Sequence, residues 1–177
     1  RLAEMGVPAR TFKDHVVFEA EEVRGATGEP LQRYSAYRAR WWSRWRATNP
    51  PVLPIPSGLC GDKSVPLSAP RPIPTARELG YEPLTPWIEP GEQNARRRLI
   101  RFVGGPIHSY VDGRNLPAID GTSKLSPHFR FGTLSPRTAI HAALAGLAAG
   151  GRVSRPDVLT WIDELIWREF FQQVLSA

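Results

Sequence analysis

The stretch Asp120-Gly-Thr-Ser-Lys-Leu-Ser-Pro127 gathers small hydroxyls, a glycine and a cation in eight residues. Thr122, Ser123 and Ser126 can each donate a hydrogen bond to an anionic oxygen, and Lys124 adds positive charge. Ser126-Pro127 has the form of a helix start, where backbone N–H groups also point outward. A diphosphate fits this donor set; a plain capped turn fits it too. The spacing is not that of a GxxxxGK loop.

A second concentration lies in Trp161-Ile-Asp-Glu164-Leu-Ile-Trp167-Arg168-Glu-Phe170-Phe171. As a helix it carries an apolar residue in nearly every direction, the pattern of a buried helix. Trp161, Glu164, Arg168 and Phe171 fall on one stripe, with Trp167 at its edge. Glu164 and Arg168 are four apart and so within pairing reach. An ion pair in an aromatic wall is expensive to bury unless it faces something polar, which points to a ligand cavity. The alternative is an exposed pair at the margin of a core helix.

The elements that must position these groups follow from the rest of the chain. Its 177 residues are 41% hydrophobic and 23% charged, enough apolar content to bury a core. The net charge is +6, and only three of the 23 cations are Lys. Arg forks to phosphate and stacks on bases without losing its charge, so the balance permits a nucleic-acid partner; an Arg-rich coding bias gives the same numbers. The lone cysteine, Cys60, excludes an internal disulfide framework. The four histidines are scattered, so no metal site is expected. No run approaches the roughly 18 apolar residues of a membrane span, and a cytoplasmic protein is the default.

Residues 1–9 read as the tail of a helix ended by Gly6 and Pro8, and His15-Val16-Val17-Phe18 as a short buried strand. Residues 31–46 form a basic aromatic helix. Tyr34, Tyr37, Trp41 and Trp45 share one face, suited either to stacking bases or to docking inward while Arg stems cover the flanks. Residues 49–90 are rich in proline, which removes backbone donors and blocks helix interiors, so they read as a connection between domains. Beyond them the pattern is helical: 92–103, a helix opened by Ser135-Pro136 and stopped at Gly150-Gly151, and a last helix from Pro156. The chain starts at Arg1 without Met and stops inside that helix, so both ends are expected to be cuts.

The run from Tyr110 through Arg114, Pro117 and Asp120-Gly-Thr-Ser-Lys-Leu-Ser-Pro-His-Phe-Arg-Phe-Gly-Thr-Leu-Ser-Pro-Arg137 closely resembles the flavin-binding signature of the DNA photolyases and cryptochromes. Trp161 to Phe171 resembles the family's next signature, at the expected distance downstream. More loosely, the resemblance covers the whole chain. It implies a mainly α fold, the first half of the family's helical FAD-binding domain (91–177), preceded by an interdomain linker (26–90) and the end of an α/β antenna domain (1–25).

Carried over residue by residue, the resemblance implies that Tyr110 and Thr122, Ser123, Lys124, Leu125 and Ser126 hold FAD, the latter five at its diphosphate. Lys124 stands where many members have Arg. Trp161 would line the flavin and substrate cavity, with Arg168 beside it. Arg114 would contact DNA, as would the stretch Glu164, Leu165, Ile166, Trp167, Arg168, Glu169, Phe170 and Phe171. Glu164 would hydrogen-bond the damaged base pair and help stabilise its radical anion, and Trp167 would stack on the extruded dimer. The implied function is light-dependent repair of cyclobutane pyrimidine dimers in DNA, a lyase reaction, by a bacterial, nucleoid-associated monomer. A second antenna chromophore, folate or deazaflavin, would lie in the domain outside this chain. The alternatives are a cryptochrome-type photoreceptor and a flavin-free basic DNA-binding module.

Overall fold

The computed structural model describes residues 2, 4–9, 13, 15–54, 72–82, 87–148 and 154–176. These described residues form six α-helices, α1 (Tyr34–Thr48), α2 (Glu92–Val103), α3 (Tyr110–Gly113), α4 (Ser126–Arg130), α5 (Pro136–Ala148) and α6 (Arg155–Ser176), with 3₁₀ turns at Ala20–Glu22 and Pro106–Ser109. Among the described residues the only β pairing is an isolated bridge between Arg24 and Pro30. The mainly α expectation therefore holds. The chain separates into two units, one made of Arg1–Val52 and Pro90–Ala177, the other of Leu53–Glu89.

In the larger unit the helices surround α6. Val158, Trp161, Ile162, Ile166 and Phe170 of α6 join Tyr37, Trp41 and Trp45 of α1, Leu99 and Phe102 of α2, and Ala139, Ile140 and Ala143 of α5 in one core. The aromatic stripe of α1 docks inward. Tyr37, Trp41 and Trp45 are buried at successive turns, Trp41 stacks on Trp45 with centroids 5.3 Å apart, and Tyr37 meets Phe170 at 5.3 Å. Flanking cations lie over the apolar surface, as where Arg44 sits 5.5 Å above the Phe18 ring and pairs with Glu22. α1 falls within the stretch 26–90 expected to be linker, yet it is built into this unit. It stops where Asn49 turns left-handed (φ 39°) and caps Trp45 O, just before two prolines.

Two local expectations fail. Among the described residues 2 and 4–8 there is a turn, with Met5 and Val7 N–H both bonding Leu2 O, rather than a helix tail. The apolar run Val16-Val17-Phe18 is buried as expected, but it forms no strand: its backbone donors go to a side chain, the Glu169 carboxylate of α6. A burial signal in four residues does not specify what satisfies the backbone. The helices 92–103 and 136–148 form where the sequence placed them; the expected stop at Gly150-Gly151 lies outside the described residues, as does Cys60.

The smaller unit contributes a turn at residues 75–80, where Leu79 N–H bonds Thr75 O and Ala76 O and the Glu78 carboxylate accepts from Thr75 N and Oγ1. No described helix is long and apolar enough to cross a membrane.

Candidate functional site

α6 is apolar in most directions, yet it carries a set of polar side chains that capture other segments. Asp157 accepts Val111 N–H at 2.7 Å and so holds α3. Glu169 accepts four donors: Val17 N–H (2.7 Å), Phe18 N–H (3.2 Å), Trp41 Nε1–H (2.8 Å) and Tyr37 O–H (3.2 Å). Gln173 Nε2 donates to Leu31 O. Arg168 Nη1 donates to His15 O at 2.6 Å and Nη2 to Phe129 O at 3.3 Å. These hooks join the N-terminal segment, α1, α3 and α4 to one helix.

The hydroxyl-rich loop is set by close backbone approach. A Cβ on Gly121 would lie 2.5 Å from Gly113 O and 2.7 Å from Gly113 C, so the loop can rest on the end of α3 only with glycine at that position. The Leu125 side chain is fully buried and anchors the far end of the loop in the core. Between these two fixed points Lys124 adopts a left-handed backbone (φ 50°). Thr122, Lys124 and Ser126 are exposed, Ser123 is half-buried, and Ser123 Oγ accepts Leu125 N–H at 3.4 Å. Lys124 pairs with Asp120 at 2.6 Å, and that bond holds the Asp120 carboxyl below its ordinary range. Gly121→Ala is expected to displace this loop, at about 1–3 kcal/mol for the overlap with backbone atoms. The check is a lowered Tm together with weaker ligand retention at the loop; an unchanged Tm would refute the close-approach account.

Beside the loop, Tyr110 is buried against Phe102 (5.9 Å, edge to face), and Phe102 also meets Trp161 at 5.1 Å. Burial raises the Tyr110 phenol above its usual range. Arg114 lies 5.5 Å over the Tyr110 ring and forms a 2.6 Å ion pair with Glu164. The expected pairing of Glu164 with Arg168 is therefore not made. Each has found a partner from another segment, Arg114 for Glu164 and backbone carbonyls for Arg168, whose guanidinium burial disfavours its charge.

Of the stretch 164–171, the structure leaves Glu164, Leu165, Trp167 and Arg168 half-buried and Phe171 exposed, while Ile166, Glu169 and Phe170 are buried. Those three face the core in this arrangement, and Glu169 is fully occupied in holding residues 17 and 18. Of the eight residues expected to contact DNA, five are thus at least partly exposed, because a helix presents only part of its circumference. Trp161, expected to line the cavity, is 2% exposed and belongs to the core cluster.

Two residues of α1 meet this face of α6 through contacts that the sequence did not specify. Tyr34 stacks on Trp167 with ring centroids 3.4 Å apart and 8° from parallel, and its hydroxyl donates to Asp163 O at 3.0 Å. Arg38 pairs with the Asp163 carboxylate at 2.7 Å. The available signal was the pair of polar residues in α6 beside the aromatic stripe of α1.

Comparison with known proteins places this helical fold beside the photolyases. The curated deoxyribodipyrimidine photo-lyases that match include one from Halobacterium salinarum, 38% identical over 98% of this chain and 36% of the relative, and one from Synechococcus, 33% identical over 98% of this chain and 37% of the relative. The crystal structure of a bacterial class III photolyase from Agrobacterium tumefaciens superposes with a TM-score of 0.70 at 25% identity, covering 98% of this chain and 36% of that one. No protein-family model matches. The chain is thus related to photolyases along nearly its whole length and spans about a third of the length of the curated relatives it matches.

Proposed function

We propose that this chain supplies flavin-facing and lesion-facing parts of a light-driven DNA repair enzyme acting on cyclobutane pyrimidine dimers. The observation that carries the reading is one face of α6 that offers a carboxylate, Glu164, and a flat indole, Trp167, beside the cation of Arg114. An enzyme cannot reach a base inside a duplex, and photolyases are among the enzymes known to extrude their target nucleotide into a pocket. A damaged pair is already poorly stacked and leaves the helix at lower cost. Trp167 offers the extruded dimer an apolar surface, worth about 1–3 kcal/mol per stacked base. Arg114 suits a phosphate, and Glu164 suits hydrogen bonding to the base edge where charge develops.

The loop from Thr122 to Ser126 fits a flavin diphosphate in its chemistry: three hydroxyls and one ammonium, held between the Gly113–Gly121 contact and buried Leu125. Tyr110 would flank the cofactor. Bound FAD would supply the one-electron reduction that light drives; a second antenna chromophore belongs to the part of the protein outside this chain. The domain boundaries at 25 and 90 remain part of this proposal.

The test is light-dependent repair of an oligonucleotide carrying one thymine dimer, using full-length protein with reduced flavin. Repair under blue light and none in the dark is the expected result. No repair with flavin bound would overturn the repair assignment in favour of a photoreceptor, and full-length protein without flavin absorbance would remove the cofactor reading.

A further inference from the structure

Trp167 does not stand alone. Its ring lies on that of Tyr34, with centroids 3.4 Å apart and planes 8° from parallel. Phe170 closes one edge of Trp167 at 5.8 Å and packs edge-on against Tyr34 at 5.9 Å. The Tyr34 hydroxyl donates to Asp163 O at 3.0 Å, the carbonyl immediately before Glu164. The Asp163 carboxylate is in turn held by Arg38, one turn along α1 from Tyr34. Burial keeps the Tyr34 phenol protonated far above neutral pH, so this donor is permanent. A stacked aromatic face and a backbone hydrogen bond from a single α1 residue thus meet α6 at the residues on either side of Glu164.

We propose that Tyr34 is a positioning residue of the lesion site: it fixes the ring plane of Trp167, so that the indole meets an extruded dimer in a preformed orientation. This rests on reading Trp167 as the wall against which the dimer stacks. Of the rings around Trp167, that of Tyr34 lies most nearly parallel to it, whereas Phe170 and Phe171 of α6 meet it edge-on at 5.8 Å and obliquely at 5.5 Å and 23°. An indole free to rotate about its side-chain torsions would have to lose that freedom on binding, and a pre-ordered one has lost it already. Offset or stacked aromatic pairs hold each other beyond what area burial provides. Because Tyr34 comes from α1, that helix sets the geometry of a site on α6, more than 130 residues away in sequence. The hydroxyl bond is secondary to the stack, since it holds the backbone and the ring holds the ring.

The test uses the full-length protein, a duplex with one thymine dimer and the same duplex undamaged. Tyr34→Leu should raise Kd for the dimer duplex about tenfold while Kd for the undamaged duplex moves less than about twofold. Tyr34→Phe, which keeps the ring, should restore binding to within about threefold. In a Trp167→Ala background, Tyr34→Leu should add less than about twofold, because the residue it positions is gone. Equal losses on both duplexes, or a tenfold loss that persists without Trp167, would overturn the proposal. A wild type that shows no preference for the dimer duplex overturns the lesion-pocket reading, and this inference with it. A wild type that prefers the dimer, together with a Tyr34→Leu variant that keeps the preference, overturns the inference alone. Should Tyr34→Leu fail to fold, Tyr34→Met, also flexible and apolar without a flat face, is read by the same criteria.

Discussion

Glu169→Ala is expected to destabilise the fold strongly. The carboxylate is 4% exposed and satisfies the N–H groups of Val17 and Phe18, the Trp41 indole and the Tyr37 hydroxyl. Removing it strands four buried donors and opens a cavity. One unsatisfied buried donor costs about 1–3 kcal/mol, and water entering the space recovers part of that, so a loss of about 3–5 kcal/mol is expected. Against a typical stability of about 5–15 kcal/mol, this is enough to cut soluble yield. Thermal or denaturant unfolding of the full-length protein checks it; a Tm shift of less than about two degrees would exclude the hook as a main tie between residues 15–18 and α6.

The same carboxyl makes a pH prediction. Burial pushes Glu169 up from 4.5 to about 7, against the four hydrogen bonds that favour its charged form. The folded state therefore holds this proton more tightly than the unfolded chain. The stability tied to protonation is complete below about pH 4.5 and is lost as pH rises through about 7. The interval corresponds to about 3 kcal/mol. Buried His128 has a lowered pKa, so its contribution is present above its unfolded value and lost as pH falls, opposing Glu169 over part of the range. Comparison with Glu169→Gln isolates the carboxyl: the wild type should lose stability relative to the variant between pH 5 and 8. Parallel stability curves for the two proteins across that range would show that Glu169 is ionised throughout.

How much of this was legible in the sequence divides along physical lines. Apolar periodicity with Pro and Ser start signals placed α2 and the starts of α5 and α6 nearly to the residue, and the stripe Tyr37, Trp41, Trp45 lies on the buried face of α1. Periodicity reports which side of an element is buried; it does not report which partner a buried polar group meets. Periodicity thus gave no sign that Glu169 holds Val17 and Phe18, or that Glu164, within reach of Arg168, meets Arg114, 50 residues upstream. The i,i+4 rule states what a lone helix permits, and tertiary partners overrode it. The hydroxyl-rich loop was visible as composition. Its shape was not, because the Gly113–Gly121 contact is a long-range approach that neither glycine announces alone.

The ion pair between Glu164 and Arg114 leads to the last expected result. Both side chains are about a third exposed, and their charged ends lie 2.6 Å apart. In the proposed function each has another partner, a base edge for Glu164 and a phosphate for Arg114. A carboxylate held by a guanidinium is not available to a base, so DNA binding must exchange the two contacts. Arg114→Ala should weaken binding to damaged and undamaged duplexes alike and reduce the salt dependence of binding by about one phosphate contact. It should leave repair per absorbed photon nearly unchanged once the protein is saturated with DNA, because Glu164 is then free in either case. Glu164→Ala should do the reverse. Affinity for undamaged duplex changes little, flavin stays bound, and the yield of repair per photon falls about three- to tenfold, the rate equivalent of one hydrogen bond worth about 1 kcal/mol. An undiminished yield in Glu164→Ala would remove the carboxylate from the chemistry and leave it a surface partner of Arg114. A yield that falls equally in both variants would mean that the ion pair itself, intact in the DNA complex, is the working unit.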